Sequence, residues 1–352
     1  MISLRESLIQ IGVQSYEPVS FLGLIEVPPG TPHPWVPGNF ASRPKSLRQA
    51  MRAMLSPGGF TFIEGPKLEK DKTWIDECQG VACDGRYWFF TTNSGRHAKR
   101  LWVFNVSNGL DDADRVCPPM NFDFMPGLYH IGQVTYHDSY LYVAHDTEQN
   151  VASAIVLQFD GSRFRLVRTT QLEQYLTPPY PHVISPATGA AIGHLEFQDM
   201  NPWDGFFYSC GDEVGVPMWE FFKHHPETGS LIRRADGTPD TLQLDAPVFC
   251  VQGACFSPNG HLYVSENYEY TPGWMRVSYF SALNGHKYGE IGIRAETGAF
   301  HIDDEMEGVC YADLHRLSDG CRYQIHVVQL NNAVFDDAVS FLRFCADKPD
   351  LV

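Results

Sequence analysis

Three observations predict an all-β chain folded as a β-propeller. From Trp74 onward apolar and polar residues alternate at period two, which places successive side chains on opposite faces of a strand. Turn chemistry punctuates these runs at Asp84-Gly85, His137-Asp138-Ser139, Asp160-Gly161, Asn259-Gly260 and Asn284-Gly285. Comparable glycines at Gly80, Gly132, Gly253 and Gly308 are separated by one or two periods of roughly 50 to 60 residues, the signature of a repeating four-stranded unit. A β-sandwich is the rival fold, and it leaves the repeat unexplained.

The elements follow in order. Residues 1–59 read as a largely irregular N-terminal extension packed on a propeller domain of residues 60–352. Prolines at 28, 29, 32, 34 and 37 break up regular structure in the extension. One short helix is expected there. Pro44 starts it, Leu47, Met51, Met54 and Leu55 form its apolar stripe, and Pro57-Gly58-Gly59 ends it. Phe60 to Glu64 then reads as a strand.

Unit one runs through Gln79–Cys83, Tyr87–Thr91 and Leu101–Val106. Unit two runs through His130–Tyr136, Tyr140–Ala144, Ala154–Phe159 and Phe164–Arg168. Unit three holds His194–Asp199, Phe206–Cys210 and Pro217–Phe222. Unit four is the clearest: Val251 to Asn267 contains two strands around the turn Ser257-Pro258-Asn259-Gly260, followed by Arg276–Phe280 and Tyr288–Ile293. Unit five holds Glu307–Tyr311, Tyr323–Leu330 and Val339–Cys345. Five blades are visible, and residues 1–70 are long enough to hide a sixth. Phe60 to Glu64 is expected to supply the outer strand of the last blade and so close the ring.

Composition excludes several classes. The 352 residues carry a formal net charge of −16, so neither nucleic acid nor an anionic membrane is an expected partner. No apolar run approaches the roughly 18 residues that span a bilayer, and Met1 to Gln10 lacks the apolar core of a secretory signal. The nine cysteines include no CxxC pair, and most sit in apolar strand-like runs. They are expected as buried free thiols in a reducing cytoplasm. Oligomeric state is not set by the sequence.

The first strand of each propeller blade lines the central channel, so residues at its start converge on one mouth. Here those positions are polar: Asp76, Glu77 and Gln79, then His130 and Gln133, then His194 and Glu196, then Gln252, then Glu305 and Glu307. Carboxylates and imidazoles gathered this way suit a divalent metal, Zn, Fe or Mn with histidine ligands, Ca with carboxylates and amides. The expected ligands are Glu77, His130, His194, Glu196 and Glu305. Glu307 is the expected general base, with His130 and His194 as catalytic partners. Gln79, Gln133 and Gln252, with the aromatic Tyr129 and Tyr268, are expected to contact a small-molecule substrate. A second polar ring follows the second strands (Asn93, His145-Asp146, Asp212-Glu213, Glu266-Asn267) and reads as structural. His224-His225, beside Pro226 and a Thr-Gly turn, reads as a solvated loop. No GxSxG, P-loop, GxGxxG or HExxH occurs.

The run Gln252-Gly253-Ala254-Cys255-Phe256-Ser257-Pro258-Asn259-Gly260-His261-Leu262-Tyr263-Val264 resembles the blade signature of the gluconolactonase, senescence-marker-protein and strictosidine-synthase-like propellers. Gln79-Gly80-Val81 and Glu307-Gly308-Val309 resemble other channel-facing blade starts of that group. The resemblance implies a six-bladed propeller with one channel cation, often Ca²⁺, held by Glu, Asn and Asp. It also implies hydrolysis of lactones or esters, or a condensation with a catalytic Glu. Glu307 and Gln252 match by motif position. Gln79 stands where that pattern has Glu, Gln252 where it has Asn, and His130 and His194 have no counterpart.

The expected function is therefore a small-molecule enzyme working at the channel mouth with metal assistance, by lactone or ester hydrolysis or related lyase, isomerase or cyclase chemistry. The alternative is a non-catalytic propeller that binds or scaffolds a peptide or protein. A carbohydrate-binding propeller ranks last, because the sequences between blades are too dissimilar for repeated sites.

Overall fold

A computed structural model describes residues 60–63, 67–68, 74–75, 77–93, 99–108, 110–122, 124–125, 127–147, 151–174, 195–211, 216–257, 260–267, 274–294, 301–314, 323–333 and 337–346. The expected helix of the N-terminal extension lies outside them. The described residues form strands throughout, apart from one short 3₁₀ turn at Asp112–Asp114.

Two short strands come first, β1 (Phe60–Ile63) and β2 (Lys67–Leu68). Blade one is β3 (Cys78–Cys83), β4 (Tyr87–Thr92), β5 (Arg100–Asn105) and β6 (Met120–Asn121). Blade two is β7 (Leu128–His137), β8 (Tyr140–Thr147), β9 (Ser153–Phe159) and β10 (Phe164–Gln171). Blade three is β11 (Leu195–Met200), β12 (Phe207–Gly211), β13 (Met218–His224) and β14 (Thr241–Val248). Blade four is β15 (Val251–Phe256), β16 (His261–Asn267), β17 (Trp274–Ser281) and β18 (Lys287–Arg294). Blade five is β19 (His301–Asp313), β20 (Tyr323–Ala333) and β21 (Asp337–Ala346). Each blade is an antiparallel meander, and β1 pairs with β21 in register Phe60↔Ala346 to Ile63↔Arg343. The early strand thus completes the last blade, as the sequence led us to expect.

Five blades close the ring. The inner strands stand side by side in the order β3, β7, β11, β15, β19, and β19 packs back against β3. Blade five therefore meets blade one directly, with no place between them for a sixth. This corrects both the sixth blade allowed by length and the six-bladed ring implied by the resemblance. The core has the same count. Strands buried on both faces need a partner on each side, and five apolar clusters fill the five blade-to-blade seams. Trp74, Phe90, Trp102 and Phe104 meet Cys310, Val328 and Leu330 at the closing seam. Phe89 and Val103 meet Val134 and Leu141, and Tyr142 and Val156 meet Phe197 and Phe207. Phe221 and Phe222 meet Leu262 and Phe280, and Tyr263 and Met275 meet Val309 and Ile325. Full burial of each large side chain contributes roughly 1.5–3 kcal/mol.

Three strands escaped the sequence reading, the two-residue β2 among them. The fourth strand of blade one is the two-residue β6, too short to show a period. The fourth strand of blade three, β14, follows a long excursion through Arg233 and Pro239 that hides it.

The channel is plugged. Gln133 projects from β7 into the axis, where its Nε2 donates to the Val309 carbonyl at 2.6 Å. Three glycines admit it. A Cβ on Gly308 would lie 2.5 Å from Gln133 Oε1 and 2.5 Å from the Gly80 Cα, and a Cβ on Gly253 would lie 3.0 Å from the same Oε1. Gly80, Gly253 and Gly308 thus form a close-packed collar, and the collar with its plug separates two mouths.

Candidate functional site

The starts of the inner strands form the first mouth. Their geometry is set by a repeated device. Glu77 and Cys250, each three residues before a collar glycine, both take positive φ, at 49° and 45°. Their carbonyls accept the amides of Asn93 and Asn267 at 2.8 and 3.1 Å. Each of those asparagines in turn reaches the next blade, Asn93 Oδ1 accepting Ile131 N at 3.3 Å and Asn267 Oδ1 accepting Met306 N at 2.8 Å. Two residues earlier, Thr91 and Ser265 donate to the Gly132 and Glu307 carbonyls, each at 2.7 Å. Asn93 and Asn267 are therefore structural ties, which explains part of the second polar ring. The left-handed turn at Glu77 costs strain that a non-glycine residue ordinarily avoids.

A chain of polar contacts crosses this mouth. His130 Nδ1 lies 3.7 Å from Asp146 Oδ2, and its Nε2 lies 2.9 Å from Gln79 Oε1. Gln79 is hydrogen-bonded onward to Glu307, and Glu307 is hydrogen-bonded to Glu305. Five side chains from blades two, one and five are thus linked. Gln79 offers its oxygen to the imidazole, so its amide nitrogen is the group that donates to the Glu307 carboxyl.

The electrostatics follow from burial. Glu307 is only 3% exposed. Burial pushes its pKa well above the ordinary carboxylate range, the charge and hydrogen bond of Glu305 and the charge of Glu77 push it further, and Gln79 opposes. Two adjacent carboxyls cannot both ionise cheaply, so Glu307 is inclined to keep its proton. For His130, burial lowers the pKa. The hydrogen bond that it donates to Asp146 and the charges of Glu196 and Asp146 outweigh that, against a smaller opposing effect from Lys99, and the net shift is upward. The mouth therefore pairs a protonated carboxyl with an imidazole inclined to be cationic.

The expected site residues divide clearly. Glu77, Gln79, His130, Glu196, Glu305 and Glu307 come together, by hydrogen bond or by charge. Gln133 does not share the mouth, being the 2% exposed plug beneath it. Its role is packing because its strand position points down the axis. Gln252 sits half-buried with its Nε2 on Cys250 Sγ at 3.7 Å, and Tyr129 is 62% exposed beside the mouth. His194 and Tyr268 lie outside the described residues. Asp146 was missed as a site residue. Its signal was available, because the β7–β8 hairpin pairs His130 directly with Asp146.

Among the described residues no three His, Cys, Asp or Glu side chains converge on one point.

Two other histidine readings change. His224 is not in a solvated loop. It is fully buried on β13, with Nε2 on Ser209 Oγ at 2.7 Å and Nδ1 donating to the Gly229 carbonyl at 3.1 Å. The strand runs two residues past the expected end, and the alternation turns His224 inward. His225 stays partly exposed and organises the turn by accepting the Glu227 amide at 3.2 Å. Elsewhere in the second ring, Glu266 is a buried carboxylate paired with Arg276 at 2.7 Å, and it also accepts Phe249 N at 2.9 Å.

No family model matches the chain, and no curated protein matches it in sequence. Solved structures with a related arrangement of strands do exist. An α-L-arabinofuranosidase from Podospora anserina shares 12% identity over 82% of this chain and 98% of that one, at a TM-score of 0.42. A glycosyl hydrolase from Bacteroides ovatus shares 11% over 81% and 93%, at 0.40, and a GH43_1 enzyme from Xanthomonas citri shares 12% over 84% and 92%, at 0.39. A tail fibre of a Staphylococcus aureus phage shares 10% at a TM-score of 0.36, and this chain spans 53% of its length. The propeller assignment rests on the strand pairing and ring closure of this chain. No helix among the described residues is long and apolar enough to cross a membrane.

Proposed function

We propose that the protein is a hydrolase that cleaves a C–O bond in a small, uncharged, hydroxyl-bearing substrate at the Glu305–Glu307 mouth. The observation that carries this reading is the buried hydrogen bond between Glu307 and Glu305, beside the His130–Gln79 contact. Hydrolysis of an acetal, lactone or ester needs a proton for the departing oxygen and a carboxylate to activate water. A site with one protonated and several ionised carboxyls holds both forms at once. Glu305, half-buried at the surface of the pair, is the carboxyl that meets substrate. Glu307 lies beneath it and is the proton reservoir, so its first role is acid rather than the base expected from its position alone. Glu77 and Glu196 are the candidates for activating water. Cationic His130 stabilises negative charge that develops on the substrate oxygen. The negative charge of the mouth disfavours anionic substrates.

The test is turnover of chromogenic aryl glycosides, lactones and aryl esters by the full chain, with and without EDTA. One class should be hydrolysed, with kcat falling about a hundredfold or more in Glu305→Gln. Chelation should leave the rate unchanged. Activity lost in EDTA and restored by one divalent ion would instead give Glu77, Glu196, Glu305 and His130 to a cation. No turnover by a folded chain would move the weight to a binding or scaffold protein.

A further inference from the structure

The far mouth of the channel holds a cavity of about 250 Å³. It lies beyond the Gln133 plug, at the ends of the inner strands, and shares no residue with the first mouth. Its size is below the roughly 300–1,000 Å³ of drug-sized sites and suits a metabolite. Asp84, Asp138 and Asp313 are on its walls, and no lysine or arginine among the described residues lines it. Cys255, Phe256 and Cys310 give it an apolar floor. The three thiols nearest the cavity, Cys83, Cys255 and Cys310, are free, and burial raises their pKa values, so the floor adds no charge.

Two further side chains on its wall point to a ligand. Thr135 is 2% exposed, and its hydroxyl has no hydrogen-bond partner among the described residues. A buried unpartnered hydroxyl is costly unless something else meets it. His137 is held rigidly, its Nε2 lying 3.0 Å from both oxygens of Asp199. Asp199 is itself fixed by the amides of Met200 and Phe256, both at 2.6 Å. An imidazole oriented by a buried carboxylate has one nitrogen committed, and the nitrogen left for a ligand is Nδ1.

We propose that this cavity binds a small organic amine. Its ammonium group sits between the carboxylates of Asp138 and Asp313, and a second polar atom meets Thr135 Oγ and His137 Nδ1. Asp84 is on the same wall, where its Oδ1 accepts the amides of Arg86 and Tyr87 at 2.8 and 2.6 Å and holds the neighbouring turn. The carbon body of the amine covers the Cys255–Phe256 floor, with Tyr136 and Tyr311 on the surrounding wall.

Calorimetric titration of the full chain with ethanolamine, putrescine and phenethylamine tests this, each paired with the alcohol of the same skeleton. At least one amine should bind at one site, about tenfold or more tighter than its alcohol. The Asp138→Asn, Asp313→Asn double variant should weaken it about tenfold or more, and asparagine accepts the φ of 48° at position 138 as aspartate does. Thr135→Val should weaken binding while raising the melting temperature of the unliganded protein, opposite signs that a purely structural threonine would not give. The proposal is overturned if no amine binds, if the alcohols bind equally well, or if affinity is unchanged in both variants.

Discussion

The side-chain oxygen of Gln133 occupies the space that a Cβ on Gly308 would need, 2.5 Å from that position. Gly132 stands one position before the collar in blade two, where Gln133 takes the glycine's place, and it has only ordinary contacts of 3.5 Å around its Cβ direction. Gly308→Ala should therefore destabilise the fold by about 2–4 kcal/mol, and Gly132→Ala by less than about 1 kcal/mol. Urea unfolding of the two variants reads the difference, and equal losses would mean that the collar is not close-packed.

Glu307 links the candidate site to stability. Its folded pKa lies above the unfolded value, so above about pH 4.5 the folded state binds more protons than the unfolded chain. The stability it contributes is present below that pH and is lost as pH rises through the folded pKa. Glu307→Gln removes this slope. Denaturation from pH 4 to 9 should show the variant gaining on the parent as pH rises, and parallel curves would show that Glu307 ionises freely.

His224 works in the opposite direction. Burial lowers its pKa to about 4, despite the Gly229 carbonyl. Its stability is present above the unfolded value of 6.5 and is lost as pH falls toward 4. The full loss is about 3 kcal/mol. His224→Gln should be less sensitive over this window, and the same acid sensitivity in both proteins would assign the loss to other groups.

Asn93 and Asn267 tie different pairs of blades. Asn267→Ala strands the buried Met306 amide and should cost about 1–3 kcal/mol. Asn93→Ala, with a longer bond at 3.3 Å, should cost about 0.5–1.5 kcal/mol. The seams do not touch, so the double variant should show the sum within about 0.5 kcal/mol. A larger or smaller total would reveal coupling around the ring.

Local pattern carried much of this architecture. Period two, the turn residues and the spacing of Gly80, Gly132, Gly253 and Gly308 are all local, and they located most strands and the closure by Phe60. Ring size was not local. Five blades rather than six is decided by β19 meeting β3, a contact between positions more than two hundred residues apart, which no window of sequence displays. The site was half visible for the same reason. Convergence of blade starts placed Glu77, Gln79, His130, Glu305 and Glu307 together. Whether Glu307 acts as acid or base depends on its burial and on its closeness to Glu305, and neither can be read from residue type. His224 shows the reverse error, a polar residue assigned by neighbourhood to water when alternation turns it inward, and Gln133, expected to contact substrate, is the plug beneath the mouth.

The pairing of Phe60–Ile63 with Arg343–Ala346 has a consequence for synthesis. A ribosome makes one edge of the last blade before any other and its neighbour last. Until residues 337–346 emerge, β1 has nothing to pair with, and the nascent ring stays an open arc. Blades two to four are finished from local hairpins during that wait. The final step closes a loop of nearly the whole chain, the slowest kind of contact to form. A stalled or truncated product would present two bare strand edges at once, the form most prone to pairing with another copy of itself.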